Sequence, residues 1–187
     1  MGSVIQFEER AVAALRERLG AAETARADLI AFARGHSGAV ATIHHAVIAA
    51  LEADSFDALT DVVTKQWPDL LGLDSVALAL VVGGQGFRID AHGVDFVEPL
   101  IVDRALAAID EVALRKVGHG HPLFGRQASD IRAEALVGID ALSPYPRGLL
   151  LLGQAGDEAG ASDEGAQLLQ FLGAALGAML RRWATTS

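Results

Sequence analysis

The hydrophobic residues of this 187-residue chain change their spacing at Gly72. Before Gly72 they recur every three or four residues, which is typical of amphipathic helices, and we predict one helix over residues 39–53 and another that Asp54 caps. After Gly72, residues 76–82 form one unbroken apolar run, which is typical of a buried strand. The chain therefore combines helices with a sheet.

The rest of the chain adds strands and a closing helix. Gly83 to Gly86 forms a turn, and the residues from Phe87 return as the second strand of a hairpin. Further strands are predicted over residues 111–117, 131–139 and 147–154, and a short helix over 101–109. Ser162 caps the last helix, whose apolar face extends from Leu168 to Trp183. This order predicts an α+β domain with an antiparallel sheet and helices banked mainly on one face.

Residues 1–34, the leading segment, are predicted to form a separate long amphipathic helix that resembles one strand of a coiled coil. Its five acidic and five basic residues balance, so the formal charge of −9 belongs to residues 35–187, the main domain. A neutral amphipathic helix beside an acidic domain favours assembly. The alternative is a helix that packs only on its own domain. The apolar stripe consists of Ile5, Val12, Leu15, Leu19, Ala22, Leu29 and Ala33.

The composition excludes several classes of protein. Hydrophobic residues make up 51% of the chain, which excludes intrinsic disorder, and the chain has no cysteine. The lack of cysteine excludes disulfide scaffolds, thiol catalysis, zinc–cysteine sites and iron–sulfur clusters. The acidic charge argues against direct nucleic-acid binding, and no apolar run approaches the ~20 residues of a membrane-spanning helix. We therefore expect a cytoplasmic protein with no membrane partner.

Four ordered motifs make the chain resemble the DUF484 family of uncharacterised bacterial proteins, whose fold is GAF-like and related to PAS domains. The motifs are Leu29 to Arg34 followed by His44 and His45, then Leu51 to Phe56, then Leu123-Phe124-Gly125 with Ile131 to Leu136, and finally Gly148 to Gly153. The resemblance implies a six-stranded antiparallel sheet, a pocket on the face opposite the helices, and a homodimer formed through the terminal helices. Genes of this family often lie beside one for a site-specific tyrosine recombinase, which suggests a protein partner.

The candidate ligand site consists of Phe124, Arg126, Arg132 and Glu134. We expect Arg132 and Glu134 to share one face of a strand, with Ile131, Ala133 and Ala135 on the other face. A cation and an acid on the pocket side could hold a small polar ligand by charge-assisted hydrogen bonds. The alternative is an exposed salt bridge that contributes little.

Other motifs support neither chemistry nor a cofactor. His119 and His121 lack the further ligands of a stable metal site, and a solvated loop explains them better. The glycines at 83, 84 and 86 join two strands, so they do not match a dinucleotide fingerprint. The chain has no G-x-S-x-G sequence and no N-K-F-D-E sequence of the kind that binds cyclic nucleotides. We assign no catalytic residue, no metal and no cofactor.

Three functions remain open from the sequence. The first is a dimeric regulatory domain that binds a small molecule and signals through its terminal helices. The second is a scaffold whose pocket is filled by Leu and Phe side chains and whose helices bind another protein. The third is a hydrolase whose polar cluster the sequence spacing does not reveal.

Overall fold

The computed structural model describes residues 20, 23, 26, 38–139, 146–156 and 163–184. The chain divides into two compact units, residues 1–41 and 42–187, and the account below concerns the second. The predicted leading helix and the predicted cap at Ser162 lie outside the described residues, apart from three helical positions at 20, 23 and 26. Within the described residues, no helix combines the length and the apolar character that crossing a membrane requires.

In the part of the chain that the structure describes from residue 38 onward, five α-helices, one π-helical turn and one 3₁₀ segment accompany the sheet. Helix α1 covers residues 38–51 in the described part of the chain. The other helices are α2 (Phe56–Asp61), α3 (Trp67–Leu71), α4 (Pro99–Ala107) and α5 (Asp163–Ala184). A π-helical turn, Val62–Gln66, joins α2 to α3, and a 3₁₀ segment, Pro122–Ser129, precedes the fifth strand.

Six strands form one antiparallel sheet in the order β3-β2-β1-β6-β5-β4. The strands are β1 (Ser75–Val82), β2 (Gln85–Asp90), β3 (Gly93–Val97), β4 (Val112–Lys116), β5 (Ala133–Ile139) and β6 (Arg147–Gln154). The apolar run after Gly72 is thus the buried strand β1, which lies at the centre of the sheet between β2 and β6. The six-stranded antiparallel sheet is confirmed.

Two local predictions need correction. Ser55, rather than Asp54, caps α2, because the Ser55 hydroxyl accepts a hydrogen bond of 3.0 Å from the backbone N–H of Ala58. The first hairpin turn is also tighter than predicted. Gly83 and Gly84 both have positive φ (58° and 81°), so they form a two-residue turn and the return strand begins already at Gln85.

The helix face of the sheet, the face that carries most of the helices, is covered by α1, α2, the π-helical turn, α3 and α5. Their apolar side chains pack on alternate residues of the central strands, such as Leu78, Leu80 and Leu150. The indole N–H of Trp67 donates a hydrogen bond of 3.0 Å to the backbone oxygen of Ala46, which ties α3 to α1. These contacts form the larger of two cores.

The opposite face carries α4 and the 3₁₀ segment, which pack on the other set of alternating strand residues. Val102 and Ala105 of α4 pack with Ala77, Ala79 and Leu149 of the sheet. The helices therefore lie mainly on one face, as predicted, and one helix with the 3₁₀ segment covers the other.

Candidate functional site

The four residues predicted to hold a ligand divide into a buried pair and an exposed pair. Phe124 and Glu134 are buried on the opposite face, whereas Arg126 and Arg132 are exposed. The Arg132 guanidinium donates hydrogen bonds to the backbone oxygens of Ser129 and Ile131, so it is engaged locally. Phe124 belongs to the 3₁₀ segment and Glu134 contacts the residue at its start, whereas the two arginine side chains point away from this buried pair into solvent.

Glu134 pairs with an arginine of the neighbouring strand. The Arg115 Nε donates to one Glu134 oxygen at 2.7 Å, and the backbone N–H of His121 donates to the other at 2.6 Å. Arg115 and Glu134 are directly opposed in the β4–β5 register. The buried carboxylate thus holds the start of the 3₁₀ segment against the sheet.

His121 is half-buried at this junction and caps the 3₁₀ segment. Its Nδ1 accepts a hydrogen bond of 3.2 Å from the backbone N–H of Leu123. Burial lowers the pKa of His121 below its usual value, and Arg115 adds to that effect while the Glu134 carboxylate opposes it. His121 therefore acts as a neutral hydrogen-bond acceptor near neutral pH.

The 3₁₀ segment fills the centre of the opposite face with apolar side chains. Leu123, Phe124 and Ile131 are buried there against the sheet. A Cβ atom at Gly153 of β6 would come within 2.6 Å of the Ile131 Cδ1, so the packing is close. Ile131 lies with Phe124 rather than with Ala135, contrary to the predicted alternation, because the regular strand begins only at Ala133.

A second polar cluster lies on the opposite face at β2 and β3. The Arg88 guanidinium pairs with Asp95, and its Nε is 3.4 Å from an oxygen of Asp90. That Nε is buried and makes no hydrogen bond. The guanidinium occupies the space that a side chain at Gly125 would need, and the other Asp90 oxygen accepts from the backbone N–H of His92. Arg88, Asp90 and Asp95 therefore stabilise the β2–β3 turn, and the Arg88 guanidinium also packs against Gly125 of the 3₁₀ segment.

A groove of about 430 Å³ opens instead on the helix face, where the described helices leave β2 and β3 uncovered. We call it the Trp183 groove. Its side chains are all apolar, and they come from α2, the strands β1 to β3, the residue before β6, and the last two turns of α5. The lining residues are Phe56, Leu80, Val82, Phe87, Ile89, Val94, Pro146, Leu180 and Trp183.

Beside the Trp183 groove, the sheet exposes further apolar surface. Val94 is 61% exposed and Phe96 is 79% exposed, although both lie in the regular strand β3. The Phe96 ring contacts the ring of Phe87 with 5.2 Å between the centroids. Single exposed apolar residues are common on protein surfaces, whereas these side chains adjoin one another and the groove, as apolar patches at interaction sites do. The sequence analysis missed this patch, and its signal is the alternation of Val94 and Phe96 with Asp95.

A second groove, of about 260 Å³, lies between α1 and α5, and we call it the α1–α5 groove. Trp183 lines both grooves, so the two are adjacent. The residues that line the α1–α5 groove are Val47, Ala50, Leu51, Ala53, Ala175, Ala178, Met179, Arg182 and Trp183.

Among the described residues, no three His, Asp or Glu side chains come together as a metal-binding group.

Solved structures with this fold are GAF domains and their relatives. The GAF domain of a phosphoenolpyruvate-protein phosphotransferase from Coxiella burnetii aligns with a TM-score of 0.58 at 12% identity, over 81% of this chain and 97% of that chain. The chromophore-binding domain of a bacteriophytochrome from Stigmatella aurantiaca aligns with a TM-score of 0.55 at 13% identity, over 75% and 59% of the two chains. The free methionine-R-sulfoxide reductase of Neisseria meningitidis, solved with its substrate, aligns with a TM-score of 0.57 at 15% identity, over 78% and 90%.

These structural likenesses establish the GAF fold. No curated protein matches the sequence. The family described as "Protein of unknown function, DUF484" matches residues 1–185, which is nearly the whole chain. The chain therefore belongs to the DUF484 family and has a GAF-like fold.

Proposed function

We propose that this protein is a regulatory GAF domain that binds an apolar small molecule in the Trp183 groove and forms a homodimer through its terminal helices. The observation that carries the proposal is the groove itself. Its volume lies within the range of about 300–1,000 Å³ that is typical of small-molecule sites, and aromatic and aliphatic side chains line it throughout. An apolar compound gains most from such a lining, because no lining side chain carries a charge.

Trp183 connects the groove with the outer surface of the terminal helix α5. Trp183 and Leu180 both belong to α5, and Trp183 also lines the α1–α5 groove on the outer side of the helices. A molecule that packs on Trp183 therefore changes the packing of the last turns of α5. Differential packing of this kind is what allows a ligand to bias one arrangement of a helix over another.

Two of the structural relatives support a small-molecule role for the fold. The bacteriophytochrome domain is a chromophore-binding domain, and the sulfoxide reductase was solved with its substrate. Both of those proteins hold a small molecule on a GAF-like scaffold. The Trp183 groove would hold the ligand of this chain on the helix face, whereas the family resemblance implied a pocket on the opposite face.

The polar groups of the opposite face support binding over chemistry. Glu134, Arg115 and Arg88 are all engaged in ion pairs that hold the 3₁₀ segment or the β2–β3 turn. The chain has no cysteine, so it cannot use a thiol to reduce a sulfoxide or to attack a carbonyl. We therefore place the hydrolase last among the three functions.

The scaffold function is the second candidate, and one observation favours it. Leu123, Phe124 and Ile131 fill the centre of the face where the resemblance implies a pocket. In that case the Trp183 groove would take an apolar segment of a protein partner, for which the tyrosine recombinase suggested by gene neighbourhood is the first protein to test. The two functions differ in whether a small probe binds the groove.

The experiment measures the affinity of the full chain for 1-anilinonaphthalene-8-sulfonate, a fluorescent dye whose aromatic rings enter apolar sites and whose sulfonate group carries a negative charge. Val94→Glu puts a charge at the groove, whereas the matched control Leu100→Glu changes a residue of α4 that is 55% exposed and lines neither groove. We expect Val94→Glu to raise the dissociation constant at least about tenfold, because a carboxylate must be desolvated beside the dye. The control should stay within about twofold of the wild type.

Both variants should melt at the wild-type temperature, because both side chains are exposed in the folded chain. Equal affinity of Val94→Glu and the wild type would overturn the assignment of the groove. A wild-type chain that binds no dye while remaining folded would favour the scaffold function instead.

A further inference from the structure

We propose that the second copy in the dimer packs antiparallel along α5, with Phe171 of each copy seated in the α1–α5 groove of the other near Ala178. This inference rests on the proposed dimerisation through the terminal helices and names the surface and the geometry. It does not depend on a ligand in the Trp183 groove.

The exposed side of α5 carries the spacing of a helix-pairing surface. Among the described side chains of α5, six of the seven exposed residues recur at intervals of three and four, so these six lie on one stripe of the helix. The seventh, Gln170, lies off the stripe and donates a hydrogen bond to Glu111. The middle of the stripe is apolar and its two ends are charged or polar. From the first to the last, the stripe consists of Glu164, Gln167, Phe171, Ala174, Ala178 and Arg182.

Phe171 is the one large apolar side chain of this stripe, and it is 48% exposed. The edge of the His44 ring contacts it from α1, with 6.4 Å between the centroids, so the phenyl ring stands at one end of the line between the two helices. At the other end of that line, the small side chains of Ala175 and Ala178 leave the α1–α5 groove open.

A projecting ring and a groove on the same surface are self-complementary when a two-fold axis lies between them. Phe171 and Ala178 are two helical turns apart, which is about 10 Å along α5. A two-fold axis midway between them, beside Ala174 and Ala175, places the Phe171 ring of each copy in the α1–α5 groove of the other copy. Ile48 and Leu51, which are 52% and 54% exposed on α1, border the same surface and become buried with it.

Charge selects the antiparallel orientation over the parallel one. Glu164 lies at the beginning of α5, and Arg182, stacked on the ring of Trp183, lies at its end. The antiparallel pairing brings the acidic end of one helix to the basic end of the other. It also places the two helix dipoles side by side in opposite directions, so that they attract each other. A parallel pairing would bring Arg182 of one copy to Arg182 of the second, and Glu164 to Glu164.

The chain has no cysteine, so any disulfide formed by an introduced cysteine reports the orientation of the two copies. Phe171→Cys and Ala178→Cys are produced as two single variants of the full-length chain, one of them with a tag so that the two differ in size. Each variant alone and a mixture of the two are then oxidised. A disulfide requires Cα atoms within about 7 Å, which positions 171 and 178 satisfy only between antiparallel copies. We expect the mixed disulfide to form in the combined sample and each variant alone to stay uncrosslinked.

Because Phe171→Cys removes the central ring, the pair Gln167→Cys and Arg182→Cys repeats the test at the edge of the same surface. Both pairs have the same two-fold centre, so the same mixed crosslink is expected. Crosslinking of each variant with itself, in either pair, means a parallel dimer and overturns the inference. Failure of all samples to crosslink, with light scattering still showing a dimer, means that another surface forms the dimer and also overturns it.

Light scattering of the unmodified chain separates this inference from the proposed function. A monomer at all accessible concentrations contradicts the proposed dimerisation itself, whatever the cysteine variants do. For a dimer, Phe171→Glu should shift the mass to that of a monomer, whereas Leu100→Glu, on another surface, should leave the mass unchanged. A Phe171→Glu variant that is folded and fully dimeric would contradict the assignment of α5.

Discussion

Glu134 provides the sharpest test of the internal geometry, because two arginines compete for it. From the sequence, Arg132 shares a strand face with Glu134, either as part of a ligand site or as its salt-bridge partner, whereas the structure pairs Glu134 with Arg115 on β4. The perturbation is a set of alanine variants at the three positions, with the double variants Arg115→Ala/Glu134→Ala and Arg132→Ala/Glu134→Ala. The two double-mutant cycles measure the coupling of Glu134 with each arginine.

The magnitudes follow from burial. The Glu134 side chain is 1% exposed, and its loss leaves the backbone N–H of His121 without its partner. An unsatisfied buried N–H costs about 1–3 kcal/mol, so Glu134→Ala should lower the free energy of unfolding by about 2–4 kcal/mol once the lost packing is added. The Arg115 side chain is 47% exposed, so solvent screening reduces its coupling with Glu134 to about 1 kcal/mol.

The assay is urea unfolding followed by circular dichroism, with the slopes compared so that only changes in stability are counted. The Arg132–Glu134 coupling should be within about 0.3 kcal/mol of zero, because the Arg132 guanidinium bonds to nearby backbone oxygens. A coupling of about 1 kcal/mol with Arg132 and none with Arg115 would refute the assignment of the pair.

Three further predictions concern the 3₁₀ segment and α5. Gly125→Ala should destabilise the chain by about 1–3 kcal/mol in urea unfolding, because Gly125 has a φ of 61° and the Arg88 guanidinium fills the space of the new methyl group. In the control Gly118→Ala, the new methyl group meets no atom within 4 Å, so the stability should change little. Since the pKa of His121 is lowered in the folded state, its contribution to stability is present above the usual histidine pKa and is lost as the pH falls below it. His121→Gln should therefore lose less stability than the wild type between about pH 7.5 and about pH 5.5 in urea unfolding, and an equal loss in the two chains would contradict this role of His121. Leu176→Glu should lower stability by several kcal/mol, on the order of 3–5, because Leu176 is fully buried on the inner side of α5. An unchanged melting temperature would show that the buried side of α5 is wrongly assigned.

The period of the hydrophobic residues predicted most of the fold. The unbroken apolar run became β1 because a central strand is buried on both faces, and the apolar face from Leu168 to Trp183 became the inner side of α5. Strand β3 was absent from the spacing analysis, and only the family resemblance supplied the sixth strand. β3 is an edge strand of five residues, four of them exposed, so the alternation of Val94 and Phe96 with Asp95 is too short to predict a strand without the rest of the sheet.

The site was less predictable, because it depends on which elements become neighbours. The choice between Arg115 and Arg132 as partner of Glu134 requires the β4–β5 register, which no spacing within one segment reveals. The Trp183 groove likewise joins residues from α2, three strands and α5 that lie far apart in the chain. Its residues are ordinary core types, so nothing in their identity distinguishes a groove from a filled core.

The most direct test of the proposed binding site uses the two tryptophans of the chain as separate reporters. Trp183 lines the groove, whereas Trp67 is buried and hydrogen-bonded to Ala46. The full chain is labelled with 5-fluorotryptophan, the two fluorine resonances are assigned with Trp183→Phe, and 1-anilinonaphthalene-8-sulfonate is added to saturation. We predict that the Trp183 resonance moves and that the Trp67 resonance stays in place. A Trp183 resonance that does not move while the dye is bound would contradict the account.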